Sequence, residues 1–230
     1  MGAGSSKQAA GKAAADLVRD GVLLGLGTGS TVDAFLEALA RRIQAEGITV
    51  KGVPTSAKTA QRAEALGIPL TSLDEAQELD LVVDGADEAD PQLRLIKGGG
   101  GALLREKIVA SAGKHVIIII GEGKRVPRLG TGFLLPVEVL PFGSKVVTRH
   151  VAGLGCQPFL RASDTGAPFV TDNGNWILDC RFADGIADPE GLHSALSQVP
   201  GVVGVGLFLN LCDLLIEGRA DGGTRTYTRT

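Results

Sequence analysis

Residues 22–31 read VLLGLGTGST, an apolar run that passes into a glycine-rich turn and then into a helical pattern. The same alternation of short β-branched runs and helical stretches continues to about residue 121. It predicts strands over 22–27, 48–54, 79–84 and 115–121 and helices over 32–46 and 57–66. Such alternation is typical of a mainly parallel sheet covered by helices. The last two strands are apolar without alternation, which indicates burial on both faces.

The order of the predicted elements changes after about residue 136. A strand over 137–140, a helix from Gly143, two strands meeting at Asn173-Gly174, a helix over 189–199 and a strand over 202–208 follow. Asn-Gly between extended runs is a strong hairpin signal, and this β-α-β-β-α-β succession predicts a ferredoxin-like domain. We therefore expect an α/β protein with a Rossmann-like catalytic domain over 1–130, completed by about 209–230, and a small α+β domain over 131–208. Residues 213–217 are expected to return to the first sheet.

The composition excludes several classes of protein. With 230 residues, 44% of them hydrophobic, the chain can bury a core in one or two domains. With 23 basic against 26 acidic residues the chain has no overall basic character, which argues against nucleic acid as a partner. The longest apolar run, 116–120, is too short to cross a membrane, and the start lacks the pattern of a signal peptide. Three cysteines without CxxC spacing favour a reducing cytoplasm.

The first chemical motif is Gly25-Leu26-Gly27-Thr28-Gly29-Ser30-Thr31, which follows a strand and opens a helix. Backbone N–H groups and the helix dipole at such a place can hold an anion. A dinucleotide site would need glycine at Ser30 and an acidic residue near Thr55, and a phosphate loop of the Walker type would need Gly-Lys-Ser/Thr. The motif therefore favours a small phosphate or sugar ligand. The alternative is a glycine turn with Ser/Thr caps.

Residues 84–88 read Asp-Gly-Ala-Asp-Glu and follow a predicted buried strand. Open parallel sheets bind their ligands at this edge. Mutual repulsion among Asp84, Asp87 and Glu88 would raise the pKa of at least one carboxyl group, which suits proton transfer. A metal site is a rival interpretation, although no His or Cys is near and no hard-ion loop is complete. A structural Asp-Gly turn with solvated carboxylates is the other.

Lys97 and four glycines, 98–101, lead into a helix that contains Glu106. Four consecutive glycines are entropically costly to order, so we expect a close approach of backbone to ligand there. Lys97 would flank this loop as a mobile cation. Glu106 lies about one turn into the helix, from which its carboxylate can point back over the loop. The alternative is a surface glutamate that stabilises a helix N-terminus.

The segments GLGTGST, DGADE, KGGGGALLREK and PVEVLP occur in the order and spacing of the ribose-5-phosphate isomerase A family, which the chain resembles. VTDNGNWILD and PGVVGVGLF are similar to later segments of that family, so the resemblance spans nearly the whole chain. The motif over 97–107 is highly specific. GLGTGST is much less so.

The resemblance implies the site residues. It makes Glu106 the base that moves the proton between C2 and C1, surrounded by the polar groups of Asp84, Asp87 and Lys97. It places Lys7 near the phosphate. The remaining substrate-binding positions are Thr28, Gly29, Ser30, Thr31, Gly85, Ala86, Gly98, Gly99 and Gly100. The chain departs from the family at 130–135, where a basic residue is usual, and Lys124 is a candidate substitute.

The resemblance implies an aldose–ketose isomerase that interconverts D-ribose 5-phosphate and D-ribulose 5-phosphate through a cis-enediol, in the non-oxidative pentose phosphate pathway. No segment calls for NAD, flavin, pyridoxal phosphate or metal, so we expect no cofactor. The family and a mean hydropathy of +0.19 favour a homodimer or a dimer of dimers. A non-catalytic sugar-phosphate sensor is the leading alternative, because similar domains bind sugar phosphates in regulators. A dinucleotide-dependent oxidoreductase is the other.

Overall fold

The computed structural model describes residues 3–229, in which short strands alternate with helices. In chain order the elements are α1 (Ala3–Ala15), β1 (Val22–Leu26), α2 (Ser30–Glu46), β2 (Val50–Pro54), α3 (Ala57–Ala65), α4 (Leu73–Ala76), β3 (Leu81–Gly85), β4 (Glu88–Ala89), β5 (Leu95–Ile96), α5 (Leu103–Ser111), β6 (Val116–Ile120), β7 (Leu135–Val139), α6 (Ser144–Ala152), β8 (Gln157–Leu160), β9 (Trp176–Arg181), α7 (Pro189–Ser197), β10 (Val202–Val205), β11 (Leu207–Phe208), β12 (Leu214–Gly218) and β13 (Thr224–Thr228).

The chain divides into two compact units. The first contains the described residues up to Ala86, Arg105–Lys124 and those from Asn210 onward; the second contains Asp87–Leu104 and Arg125–Leu209. The second unit thus includes residues 87–104 and 125–130, which the predicted division assigned to the first domain. The reason lies in strand pairing, since β5 pairs with both β4 and β11, which belong to the second unit.

The first unit is built on a six-stranded sheet of order β13-β12-β6-β3-β1-β2. Five neighbouring strands run parallel, and only β13 is antiparallel, at one edge. All five residues of β6 are buried, as its unbroken apolar run predicts. The mainly parallel sheet and the return of β12 to it confirm the predicted fold class.

Helices α1 and α2 pack on this sheet through small and apolar side chains. On α2 the buried residues Val32, Phe35, Leu36 and Leu39 recur at helical spacing. The predictions from the sequence did not include α1, and in this helix even Ser6 is buried. The backbone of α1 at Ser6 packs so closely against β12 that any side chain at Gly218 would overlap with it. In residues 3–229, no helix combines the length and the apolar character that a membrane span requires.

The second unit contains the predicted β-α-β-β-α-β arrangement. Its four-stranded antiparallel sheet has the order β10-β7-β9-β8, with the first and third strands of the succession in the centre. Helices α6 and α7 each bury an apolar face, with Val147 and Val151 on α6 and Leu196 on α7. Their core joins the buried strand β7.

Two details of the predicted second domain are wrong. The strand predicted over 202–208 is two strands, because a register shift between Val202 and Gly204 and a break at Gly206 redirect the chain to β5. Asn173-Gly174 does form a turn, with the Gly174 N–H donating to the Thr171 carbonyl. However, β8 already ends at Leu160, so this turn does not join two strands directly. The chain reverses first near Gly166, whose N–H donates to the Ser163 carbonyl.

A buried polar cluster connects two of the segments that carry the resemblance. Glu138 of β7 is fully buried, and its Oε1 accepts hydrogen bonds from the Thr171 hydroxyl and the Asn175 amide, both at 2.9 Å. The Asn173 amide is a third, longer donor at 3.4 Å. PVEVLP and VTDNGNWILD therefore meet through one carboxyl group. All three donors use Oε1, whereas the buried Oε2 has no hydrogen-bond partner among the described residues.

Candidate active site

In the first unit, the turn after β1 is held to the end of β3 by Asp84. This residue is 1% exposed, and its Oδ1 accepts the backbone N–H of Thr28 at 3.1 Å and that of Gly85 at 2.7 Å. Any side chain at Gly27 would overlap with the Asp84 carboxyl group, so the close approach requires glycine. The structure thus joins two predicted motifs, GLGTGST and DGADE, at the carboxyl edge of the parallel sheet.

The Thr28 hydroxyl lies within a cluster of protein hydroxyls. It is 2.8 Å from the hydroxyls of Thr55 and Ser56 and 3.0 Å from that of Thr59. The Thr59 hydroxyl also donates to the Gly27 carbonyl at 2.9 Å. These contacts fasten the turn to the start of α3. The sequence offered a ligand contact or a helix cap for the hydroxyls of this motif, and did not predict a hydroxyl cluster with Thr55, Ser56 and Thr59.

Lys7 and Ser30 meet at the N-terminus of α2. The Lys7 ammonium donates to the Ser30 hydroxyl at 2.8 Å, across 23 positions of sequence. Ser30 is exposed and Thr31 is half-buried, so both hydroxyls lie near solvent. The first N–H groups of a helix lack intrahelical partners and carry its positive dipole end. A lysine at this place makes the helix N-terminus well suited to a phosphate group.

Glu106 lies in the first turn of α5 and is 4% exposed. The alternative interpretation as an ordinary surface glutamate is therefore wrong. Burial of a carboxylate costs free energy unless the group is paired or hydrogen-bonded, so buried carboxylates with perturbed surroundings are often functional. The neighbouring Lys107 is partly buried, and burial lowers the pKa of its ammonium group to about 8.

In the second unit, Asp87 is joined to the glycine loop, which we define as residues 98–101. Its Oδ2 accepts the Gly99 N–H at 2.8 Å, and its own N–H donates to the Ile96 carbonyl at 2.9 Å. The short hairpin of β4 and β5 makes this contact possible, since it brings residues 87 and 97 close together. Asp87 and Lys97, two of the predicted polar residues, thus both lie at the glycine loop.

Lys97 is not the mobile cation that the sequence suggested. Its side chain is among the largest fully buried ones, and its Nζ lies 5.2 Å from the centroid of the Phe208 ring. The Lys97 N–H donates to the Gly206 carbonyl at 2.9 Å, which fixes the backbone as well. An ammonium group over an aromatic face is stabilised by the ring quadrupole. Lys97 therefore supplies a positive charge at a fixed position.

The glycine loop is tightly packed against protein groups. Gly98 and Gly101 have φ of +108° and +82°, which side chains rarely adopt. A Cβ atom at Gly99 would lie 2.7 Å from Asp87 Oδ1, and one at Gly101 would lie 2.5 Å from the Phe169 ring. Close approach of the backbone to neighbouring side chains thus explains three of the four glycines, where the sequence suggested approach to a ligand.

Glu88, counted among three mutually repelling carboxylates, has a structural role. It is 2% exposed and accepts the backbone N–H groups of Gly130 at 2.6 Å, Gly132 at 2.5 Å and Phe133 at 2.7 Å. It therefore shapes the segment in which the chain departs from the family. The sequence offers no local signal for such a contact, because donors and acceptor are more than 40 positions apart. Lys124, the candidate substitute there, is half-buried and stays a prediction.

Arg161 is a residue of this site that the sequence analysis did not single out. Its guanidinium group donates to the carbonyls of Gly98 and Gly99, at 2.9 and 3.1 Å.

In residues 3–229, no three His, Cys, Asp or Glu side chains come together as a potential set of metal ligands.

The family model and two curated relatives that match this chain carry the same name. The model of the family described as ribose 5-phosphate isomerase A (phosphoriboisomerase A) matches residues 51–222. The ribose-5-phosphate isomerase A of Parvibaculum lavamentivorans is 50% identical over 230 residues, covering 97% of this chain and 98% of that protein. That of Bacillus mycoides is 50% identical over 216 residues, covering 94% and 96%.

The chain is also similar in structure to solved ribose 5-phosphate isomerases. Ribose 5-phosphate isomerase A from Methanocaldococcus jannaschii is similar with a TM-score of 0.91 and 39% identity, covering 96% of this chain and 97% of that one. A D-ribose-5-phosphate isomerase in complex with phospho-erythronic acid is similar with a TM-score of 0.96 and 35% identity, covering 100% of both chains.

Proposed function

Since this chain belongs to the ribose 5-phosphate isomerase A family, we propose that it interconverts D-ribose 5-phosphate and D-ribulose 5-phosphate, with Glu106 as the base and without a cofactor. The observation that carries this assignment is the burial of Glu106 in the first turn of α5, directly after the glycine loop in sequence. A carboxylate so placed has little access to water. Exclusion of water suits an isomerase, because its reactive intermediate must be protected from solvent.

The reaction removes a weakly acidic proton next to a carbonyl group and returns it to the neighbouring carbon. A carboxylate on one face of the sugar can do both through a cis-enediol intermediate. In this proposal Glu106 takes the proton from C2 of ribose 5-phosphate and delivers it to C1. A positioned general base contributes about 10²–10⁴-fold to such a rate.

The negative charge that develops on the sugar oxygen needs fixed donors. Lys97 and the backbone N–H groups of the glycine loop are the candidates, and a single donor of this kind is often worth about 3 kcal/mol. A buried lysine acts in a medium of low dielectric constant, where its charge has a stronger effect than in water. Asp84 or Asp87, when protonated, would pass a proton between O1 and O2 or assist ring opening.

The phosphate is assigned to the start of α2. Lys7, Ser30 and Thr31 provide a cation and two hydroxyls beside the helix N-terminus. A structural neighbour binds phospho-erythronic acid. The carboxylate of that acid is planar and anionic, as is an enediolate, so we expect the acid to inhibit this chain as well.

One assay tests the proposal. Purified protein is mixed with ribose 5-phosphate in excess EDTA and without added cofactor, and ribulose 5-phosphate is measured. Turnover at the full rate is the expected result. Binding of ribose 5-phosphate without turnover would favour the sensor, and turnover only with a nicotinamide dinucleotide would favour the oxidoreductase. Activity lost in EDTA and restored by a divalent ion would contradict the metal-free mechanism.

We also propose that the protein works as a homodimer in the cytoplasm, in the non-oxidative pentose phosphate pathway. The mean hydropathy of +0.19 and exposed apolar side chains such as Phe142, at 93% exposure, support association. Three free cysteines fit a reducing compartment. Light scattering that gives a monomer at micromolar concentration would contradict the dimer.

A further inference from the structure

Arg161 is held in a fixed position just after β8 in the second unit. Its Nε and Nη2 donate to the two carboxylate oxygens of Asp179, at 2.9 and 2.5 Å. The two side chains are only 14% and 18% exposed. The guanidinium carbon lies 5.7 Å from the centroid of the Phe169 ring. A bidentate pair of this kind that also stacks on an aromatic ring leaves the guanidinium group little freedom.

The remaining nitrogen, Nη1, reaches the glycine loop. It donates to the carbonyl oxygens of both Gly98 and Gly99, at 2.9 and 3.1 Å. Glycine peptides are the easiest to rotate, since no Cβ atom restricts their dihedral angles. Two consecutive carbonyl groups turned toward one guanidinium group therefore determine the orientation of two consecutive peptide planes.

The orientation has a consequence for the N–H groups. In a trans peptide the C=O and N–H bonds point in opposite directions, so the N–H groups of Gly99 and Gly100 point away from Arg161. The Gly99 N–H accordingly reaches Asp87 Oδ2 at 2.8 Å. We infer that Arg161, held by Asp179, is a positioning residue of the isomerase reaction: it fixes the glycine-loop N–H groups in the direction in which they serve Asp87 and the developing oxyanion.

This inference rests on the proposed function, and it concerns the transition state more than substrate binding. Donors preorganised toward developing charge act mainly on kcat, because the ground-state sugar does not yet carry that charge. Misplacement of such groups by about 1 Å is expected to cost on the order of 10²-fold in rate. Arg161 itself need not touch the substrate for this effect.

The test compares Arg161→Met and Arg161→Lys with the matched control Arg181→Met. Arg181 lies on β9 in the same sheet, and its guanidinium carbon is 5.5 Å from the Phe159 ring, so it shares the stacking of Arg161 on an aromatic ring. For Arg161→Met we expect kcat to fall about 10²-fold with a change of KM below threefold. Arg161→Lys keeps the charge but not the bidentate geometry, so a partial loss of about 10-fold is expected.

Inhibition separates positioning from simple loss of structure. Phospho-erythronic acid should bind Arg161→Met weaker by a factor similar to the loss in kcat/KM, whereas inorganic phosphate should inhibit all variants equally. The folded fraction of each variant is measured by circular dichroism, and rates are expressed per folded molecule. If Arg161→Met does not fold, Arg161→Lys carries the comparison.

The outcomes distinguish the two hypotheses. Wild-type protein without isomerase activity would contradict the proposed function. Active wild type, with Arg161 variants that match Arg181→Met per folded molecule, would contradict only the role of Arg161. Equal weakening of phosphate and phospho-erythronic acid would overturn it too, since it would indicate general damage to the binding site.

Discussion

The ammonium group of Lys7 lies 2.8 Å from the hydroxyl oxygen of Ser30, so the first helix of the chain places a cation at the start of the second. Lys7 lies on α1, which packs against α2 and β12, whereas Ser30 is the first residue of α2. The contact links a residue with no local motif to the GLGTGST turn. It makes the proposed contribution of Lys7 to phosphate binding measurable.

Lys7→Met should raise KM for ribose 5-phosphate with a smaller effect on kcat. A hydrogen bond to a charged group is worth about 1.5–3 kcal/mol, which corresponds to roughly 10- to 100-fold in affinity. Steady-state kinetics give both constants. The control is Lys12→Met on the same helix, where an exposed lysine pairs with Asp16. An unchanged KM for Lys7→Met would remove this residue from the phosphate site.

Glu106→Gln should lower kcat by at least about 10²-fold, because the amide keeps the shape of the side chain but cannot accept the proton. KM and the melting temperature should change little, since the proposed phosphate site at the start of α2 does not include Glu106. Deuterium at C2 should exchange with solvent in wild type and hardly at all in the variant, as followed by NMR.

Glu190→Gln is the matched control, because Glu190 also lies in the first turn of a nine-residue helix but is exposed. If Glu106→Gln keeps most of its activity and melts earlier than wild type, Glu106 is a helix stabiliser. The base must then be sought at Asp84 or Asp87.

Glu138→Ala should destabilise the second unit by roughly 2–5 kcal/mol, because it leaves the donors of Thr171 and Asn175 unpaired and opens a cavity. Urea unfolding at 25 °C measures the change. Glu138→Gln retains an acceptor oxygen and should lose less. Glu46→Ala, which removes an exposed ion pair with Arg42, serves as the control and should have a small effect. Equal unfolding curves for the two alanine variants would refute the role assigned to Glu138.

Lys107 should make stability depend on alkaline pH. Burial lowers its pKa to about 8 in the folded protein, whereas a lysine in the unfolded chain keeps about 10.4. Below pH 8 both states bind the proton, so the full cost of burying the charge is present. As the pH rises from 8 toward 10.4 the unfolded chain binds more protons than the folded one. This contribution to the unfolding free energy therefore increases with pH.

The variant Lys107→Met should accordingly be more stable than wild type at pH 7, by at most about 3 kcal/mol. The difference should shrink as the pH approaches 10.5, because wild-type protein no longer carries the cost there. Urea unfolding at several pH values gives the curve, with exposed Lys12→Met as the control. If the difference in unfolding free energy between Lys107→Met and wild type stays constant from pH 7 to 10.5, the charge of Lys107 does not affect stability.

The sequence predicted the parallel sheet well because its strands are short apolar runs flanked by glycine or helical patterns. The strands β4 and β5 have two residues each, too few for any periodicity. The edge strand β13 is largely exposed and lacks an apolar face. Helix α1 is alanine-rich, which favours a helix, but its weak amphipathicity gives little of the periodic pattern on which the prediction relied.

Within the candidate site, the motifs identified residues but not their surroundings. Asp84, Asp87 and Glu106 stand out because carboxylates follow a strand or a glycine loop. The buried Lys97 lies over the ring of Phe208, which is more than 100 positions away. Arg161 contacts Gly98 across 63 positions and belongs to no short pattern. Long-range partners of this kind arise from tertiary packing, which a single sequence does not display.

The tight packing of Ser6 against Gly218 gives the enzyme an order of assembly. These residues are about 210 positions apart, so a ribosome makes the strand that supports α1 long after it has made α1. The early β1-α2-β2 segment can form through local contacts, which are fast. Lys7 contacts Ser30 of α2, but α1 has its complete packing, against both α2 and β12, only after residues 214–218 have emerged and joined the sheet. A nascent chain should therefore hold sugar phosphates poorly until a late stage of translation.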